Sequence, residues 1–133
     1  MPWAGLTIVL YAMALTGGFV ETWGRDYTPT LRHLLRAFDL VRSEVGAELS
    51  VHGSIYSPLT HYFELFGYET ALLTFLDDPE RAHAILERLS DGVIAWSLAL
   101  LARGADALDH SSAFVAAPFL SRKLYEEFVV PYE

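Results

Sequence analysis

The stretch Glu48-Leu49-Ser50-Val51-His52-Gly53-Ser54-Ile55-Tyr56 decides how the rest of the chain is read. Leu49, Val51 and Ile55 alternate with other residues, the period of a β-strand, and Gly53 sits near its end. Ser57-Pro58 breaks the strand and opens a short helix, Leu59 to Phe66, stopped by Gly67. Glu69 to Leu76 is a second short helical piece. On the other side, Thr28-Pro29 is a helix start, because proline suits the first turn, where no N–H is needed. Leu31, Leu34, Leu35, Phe38, Val41 and Val45 then recur at helical spacing, and Gly46 is placed to end that helix in a left-handed cap.

Further on, Asp77-Asp78-Pro79-Glu80 is a strong helix-start signal. Asp78 can cap free amides, Pro79 fits the first helical position and Glu80 complements the positive helix end. Ala82, Ile85, Leu86, Leu89, Val93, Leu98 and Leu101 keep an apolar stripe to about Arg103, and Gly104 supplies the stop. Ala105-Asp106-Ala107-Leu108-Asp109-His110 reads as a second short strand, with Asp106 in the turn that enters it. A loop from Ser111 to Leu120 follows, and Ser121 caps a last helix carrying Leu124, Tyr125, Phe128 and Val129.

Helix, strand, helices, strand, helix is the alternation that builds a parallel sheet with crossover helices. The two strands are expected side by side, about Leu49–Ser54 and Ala107–His110, joined by a right-handed crossover. Ligands of such α/β folds lie beyond the carboxyl ends of the strands. The pattern therefore nominates one rim, His52 through Thr60 and Asp109 through Phe114.

Composition limits what that rim can meet. The chain has 133 residues, 53% of them apolar, which is enough for a core and excludes a disordered protein. Seventeen acidic and nine basic residues give a net charge of −8, so nucleic acid and anionic membrane surfaces are excluded as partners. No cysteine is present, so no disulfide, thiolate zinc site or cysteine nucleophile lies within these residues. Met1 to Val20 carries no charged side chain, yet Pro2, Gly5, Thr7, Thr16, Gly17 and Gly18 dilute it and no basic residue precedes Arg25. It is read as a buried core element rather than a span or an export signal, and a cytoplasmic location is expected. Gly17-Gly18 alone makes no phosphate loop. Trp3, Trp23 and Trp96 are read as core.

The motifs resemble those of the uroporphyrinogen decarboxylase family, which includes methyltransferases acting with corrinoids and coenzyme M. Gly53-Ser54-Ile55-Tyr56-Ser57-Pro58-Leu59-Thr60 with Gly67 is similar to its G-x-x-x-x-P-F-T … G segment. Asp78-Pro79-Glu80 followed by Gly104-Ala105-Asp106 is similar to its D-P-E … G-A-D stretch. Leu120-Ser121 with Tyr125-Glu126-Glu127-Phe128-Val129-Val130-Pro131-Tyr132 looks like its last helix here. The resemblance spans about Glu48 to Glu133, and residues 1–27 are left unassigned. It implies an incomplete (β/α)8 barrel, since that fold takes about 250 residues or more. The chain is expected to be a fragment of a longer enzyme. Alone, its unpaired sheet edges should leave it marginal or self-associating, a homodimer being the simplest form. A sharp monomeric two-state melt of the isolated chain would contradict that expectation.

The resemblance implies decarboxylation of porphyrinogen acetate groups, the family's namesake activity, without metal or cofactor. Corrinoid-dependent methyl transfer is the alternative, with zinc held by residues elsewhere in a full-length chain. A non-catalytic remnant or assembly module is the third reading. A tyrosine six residues after the proline belongs to the family's site; Glu64 stands there, and a carboxylate would repel a polycarboxylate substrate. Ser112 and Ala113 stand where the family has an acidic residue and a serine. The small-molecule substrate is expected to meet His52, Ser54, Tyr56, Thr60, Glu64 and Ser111, with Asp109, His110 and Ser112 as catalytic candidates. Asp109, at a strand end, can serve as general acid or base, orient the neighbouring His110, or simply cap the loop. His52, His61 and His110 fall near one rim, but lack the tight spacing of a metal motif, so no metal is expected here.

Overall fold

The structure, a computed structural model, describes residues 28–116 and 119–133. The apolar run from Met1 to Val20, Trp3 and Trp23 lie outside the described residues. Seven elements follow in order: α1 Thr28–Val45, β1 His52–Tyr56, α2 Pro58–Phe66, α3 Tyr68–Asp77, α4 Pro79–Leu101, β2 Ala107–Ser111 and α5 Arg122–Phe128. No described helix is long and apolar enough to cross a membrane.

β1 and β2 pair in parallel, His52 opposite Ala107, Ser54 opposite Asp109 and Tyr56 opposite Ser111. The chain between them makes α2, α3 and the crossover helix α4, as the alternation of elements requires. The helix starts follow from the sequence. Asp78 accepts from the Arg81 amide at 3.1 Å, Ser57 from the Thr60 amide at 3.1 Å and Ser121 from the Leu124 amide at 3.3 Å. Each cap satisfies an amide that the first helical turn leaves open.

Three details differ from the sequence reading. β1 begins at His52, because the Leu49 amide turns back to the Val45 carbonyl at 2.8 Å and leaves Leu49 46% exposed. Gly46 is not left-handed; among the described residues the positive-φ glycines are Gly67 at 74° and Gly104 at 83°. Gly46 lies where any Cβ would come 2.4 Å from the Arg42 carbonyl oxygen, so close approach, not φ, favours glycine there. Finally, α4 ends at Leu101, and its buried stripe drifts. Leu98 and Leu101 are exposed, while Leu100 is buried and Trp96 packs beside it.

Two apolar clusters hold these elements. The larger joins α2 to α5 through Leu59, Tyr62, Phe63, Phe75, Leu86, Leu120, Phe128 and Val129. The smaller centres on Phe38, Val51 and Leu100, with Ile55 and Leu108 against it. It packs α1 and the end of α4 onto the strands. Asp106 ties this end together: its carboxylate accepts from the Val51 amide at 2.8 Å, its own amide donates to the Val51 carbonyl at 2.9 Å, and Arg42 pairs with it. The Val51 amide first, then the Arg42 guanidinium, hold the Asp106 carboxyl below its usual range.

Gly53 marks where strand meets crossover helix. A Cβ there would lie 2.7 Å from Leu100 Cδ1 and 3.2 Å from Leu108 Cδ2. Gly53→Val is therefore expected to displace the buried Leu100 side chain and destabilise the protein by about 2 kcal/mol, despite valine's strand preference. Equilibrium urea unfolding checks this; a valine variant as stable as the parent would mean that α4 does not press on β1 here.

Candidate functional site

Strand alternation sorts the candidate residues onto two faces, because successive side chains of a strand point to opposite sides. Gly53, Ile55, Leu108 and His110 face α4. His52, Ser54, Tyr56, Asp109 and Ser111 face away from it. Asp109 and His110 therefore look in opposite directions, which corrects the expectation that Asp109 orients the adjacent imidazole. The partner beside Asp109 in register is Ser54.

The face away from α4 carries exposed His52, half-buried Ser54, exposed Asp109 and exposed Ser111. His52 Nε2 lies 2.8 Å from Ser50 Oγ at the amino end. Tyr56, at the carboxyl end, is buried and meets the His61 ring edge-on, centroids 6.0 Å apart. On the other face a groove of about 520 Å³ lies between α4, the strands and the last residues, lined by Ser90, Val93, Ser97, His110, Tyr132 and Glu133 among others. The groove and the Asp109 face are separate places. The latter is the better candidate for a barrel-type site, because barrel interiors are lined by the strand face opposite the helices.

The carboxyl ends of the strands are locked together by hydroxyls. The Ser57 amide donates to the Ser111 carbonyl at 2.9 Å, extending the ladder by a residue. The Ala113 amide donates to Thr60 Oγ1 at 2.9 Å, and Ser57 Oγ lies 3.1 Å from Thr60 Oγ1 and 3.0 Å from Ser112 Oγ. Ser112 Oγ also reaches the Glu133 carboxylate. Ser57 and Thr60 are buried, so these groups set where the loops after β1 and β2 begin. Thr60→Val keeps the volume but orphans the Ala113 amide, and should cost about 1.5 kcal/mol. Hydrogen exchange at Ala113 checks it directly: faster exchange is expected, and unchanged exchange would remove Thr60 from this role.

His61 and Glu64 form the only perturbed titratable pair at this end among the described residues. Burial pushes the His61 imidazole down to about 4, and burial raises the Glu64 carboxyl. Nδ1 of His61 lies 3.6 Å from Glu64 Oε2. That carboxylate would favour the imidazolium, yet desolvation outweighs it, so His61 is neutral at pH 7 and the contact is not a charged pair. His52, His61 and His110 are not brought together, and no group of three His, Asp or Glu side chains placed to hold a metal occurs among the described residues.

Sequence reasoning missed the loop after β2 as a structured feature. Phe114 has φ 64°, a left-handed conformation that a bulky residue rarely adopts. Its ring contacts Phe63, Tyr68 and Phe119 at centroid distances of 5.6, 5.9 and 5.7 Å. The Tyr68 hydroxyl donates to the Phe119 carbonyl at 2.6 Å, so the first residue of α3 is bonded to the loop after β2. The signal available in the sequence was Phe114 and Phe119 inside a loop otherwise rich in Ser and Ala.

Comparison with known proteins places this arrangement. The family model described as uroporphyrinogen decarboxylase (URO-D) matches residues 21–133, which extends the resemblance back through α1. The methylated-thiol–coenzyme M methyltransferase of Methanosarcina mazei is 29% identical over 98 residues, covering 74% of this chain and 27% of that protein. The uroporphyrinogen decarboxylase of Chlorobaculum tepidum is 25% identical over 151 aligned positions, covering 96% of this chain and 42% of that protein. The chain thus spans less than half the length of either relative. With a family match across all the described residues, and the parallel strand pair that its motifs predict, the chain belongs to the uroporphyrinogen decarboxylase family.

Proposed function

We propose that β1 and β2 are neighbouring strands of a (β/α)8 barrel, and that the full-length protein is an enzyme whose pocket opens beyond their carboxyl ends. Its reaction in this reading is the decarboxylation of acetate groups on a tetrapyrrole. The observation that carries the reading is the parallel register that sets Asp109 beside Ser54, with the loop after β2 tied to α2 through Thr60 and to α3 through Tyr68. In a barrel, catalytic groups come from the carboxyl ends of several strands.

The chemistry asks two things of such a rim. The bond between the acetate methylene and its carboxylate breaks, CO2 leaves, and a proton replaces it on the methylene carbon. Ser54 and Ser111 supply hydroxyls to substrate carboxylates, and Asp109 is the carboxyl group placed to manage the proton. His52 sits at the amino end of this face and Tyr56 at its carboxyl end, while Thr60 and Glu64 stand on α2 beyond β1, and Ser112 follows β2, bonded to Ser57 and Glu133. His110 lies on the other face and takes no part in this step.

Corrinoid-linked methyl transfer is the second reading, and Glu64 favours it. A carboxylate whose neighbouring imidazole is neutral repels a polycarboxylate but tolerates a ligand with fewer acidic groups. That reading places its zinc ligands outside this chain, which has no cysteine. The full-length protein given a porphyrinogen bearing acetate groups should release one CO2 for each acetate converted to methyl. No CO2, but methylation of a thiol from a methylcorrinoid together with bound zinc, would overturn the first reading in favour of the second. Neither activity would leave an assembly module.

A further inference from the structure

Three large rings stand exposed where the start of α3 meets the loop after β2. Tyr68 is 37% exposed, Phe114 40% and Phe119 47%; all three lie against one another, and Tyr68 and Phe114 also lie against the buried ring of Phe63. Their mutual angles are tilted or edge-on, from 47° to 85°. Such packing satisfies ring edges against ring faces and still leaves aromatic surface free. The tie from the Tyr68 hydroxyl to the Phe119 carbonyl fixes the start of α3 against the loop after β2.

The backbone at Phe114 points the same way. Glycine would adopt φ 64° without strain, yet a phenylalanine stands there. Strained conformations of bulky residues persist where their surroundings over-determine them, and they cluster at ligand sites. Here the strain aims a phenyl ring outward at the carboxyl-end edge of a parallel strand pair.

We propose that Tyr68, Phe114 and Phe119 form an aromatic shelf that receives the flat face of one heteroaromatic ring of the substrate. The shelf rests on the tetrapyrrole reading given above, and adds to it the residues that position the ligand. These are positioning residues: they hold a ring by stacking and take no part in bond making. A second copy of the chain is the competing occupant of the same surface.

The test uses the full-length protein and two probes, the tetracarboxylate coproporphyrin and hydroxocobalamin, titrated by fluorescence quenching and absorbance. Phe114→Gly and Phe119→Ala are each expected to weaken coproporphyrin binding about tenfold, the scale of one lost aromatic stack. The melting temperature of Phe114→Gly should stay level or rise, because glycine relieves the left-handed backbone. Phe114→Trp should keep the parent's affinity. Parental affinity in both Phe114→Gly and Phe119→Ala would overturn the shelf and leave the enzyme reading standing. So would dissociation of a dimer by Phe114→Gly, which would assign the surface to a subunit contact. Failure of the parent to bind either probe would overturn the shelf and the tetrapyrrole reading together.

Discussion

Phe128→Ala is expected to destabilise the protein by about 4 kcal/mol, the cost of removing a large ring from a packed core. Phe128 is 1% exposed and lies in α5, a helix of only seven residues that cannot hold itself in water. Its ring stacks on Phe75 of α3, centroids 4.2 Å apart and 7° from parallel, and on His83 of α4 at 4.6 Å and 20°. The same ring thus fastens three helices. His83 Nδ1 lies 2.7 Å from the Tyr132 hydroxyl, so losing the stack also loosens the segment after α5. Urea unfolding of parent and variant measures the loss. A cost under about 1 kcal/mol would mean that α5 does not dock where the structure has it.

Acid should weaken the fold through His61 before the carboxylates titrate in bulk. The imidazole has an ordinary value of 6.5 and a folded value of about 4. Between these limits the unfolded chain binds more protons than the folded one, so stability falls as pH falls from 6.5 toward 4. The full difference corresponds to about 3 kcal/mol, since one pKa unit is about 1.4 kcal/mol. Glu64 runs the other way: its raised folded value contributes stability at low pH that is lost as pH rises through that value. It therefore blunts the acid loss and does not cause it. Unfolding midpoints at several pH values between 7 and 4 should decline in the parent and decline less in His61→Phe. An identical pH dependence in both would show that His61 is not the group responsible.

Much of the fold was legible because local chemistry and long-range packing agree. Asp78-Pro79-Glu80, Ser57-Pro58 and Ser121 each start a helix where the sequence places one, and Gly67 and Gly104 take positive φ at the ends of helical segments. The strand pair followed from periodicity and from the long helix between its members. The misreadings come from contacts the sequence does not display. Leu49 has the right parity for β1 but is captured by the turn after α1. The stripe of α4 was extended through Leu98 and Leu101, whereas the helix turns Trp96 and Leu100 toward the strands.

The site was legible as a rim and less so in its pairings. Asp109 and His110 are adjacent in sequence, and the two-residue strand period should have separated them. The sequence only groups His61 with His52 and His110 near one rim. Its burial depends on Tyr56 and the packing of α2, which emerge only in three dimensions. The conformation of Phe114 has no sequence signal at all, because residues of its type almost never adopt it.

Backbone NOEs between the two strands test the account most directly. In parallel register His52 lies near Ala107 and Tyr56 near Ser111, with the Ser57 amide against the Ser111 carbonyl, and cross-peaks between those residues are the expected result. An antiparallel pair would instead bring His52 to Ser111 and Tyr56 to Ala107. Cross-peaks of that second kind would put the loops after the two strands at opposite ends of the sheet, and the shared rim would not exist.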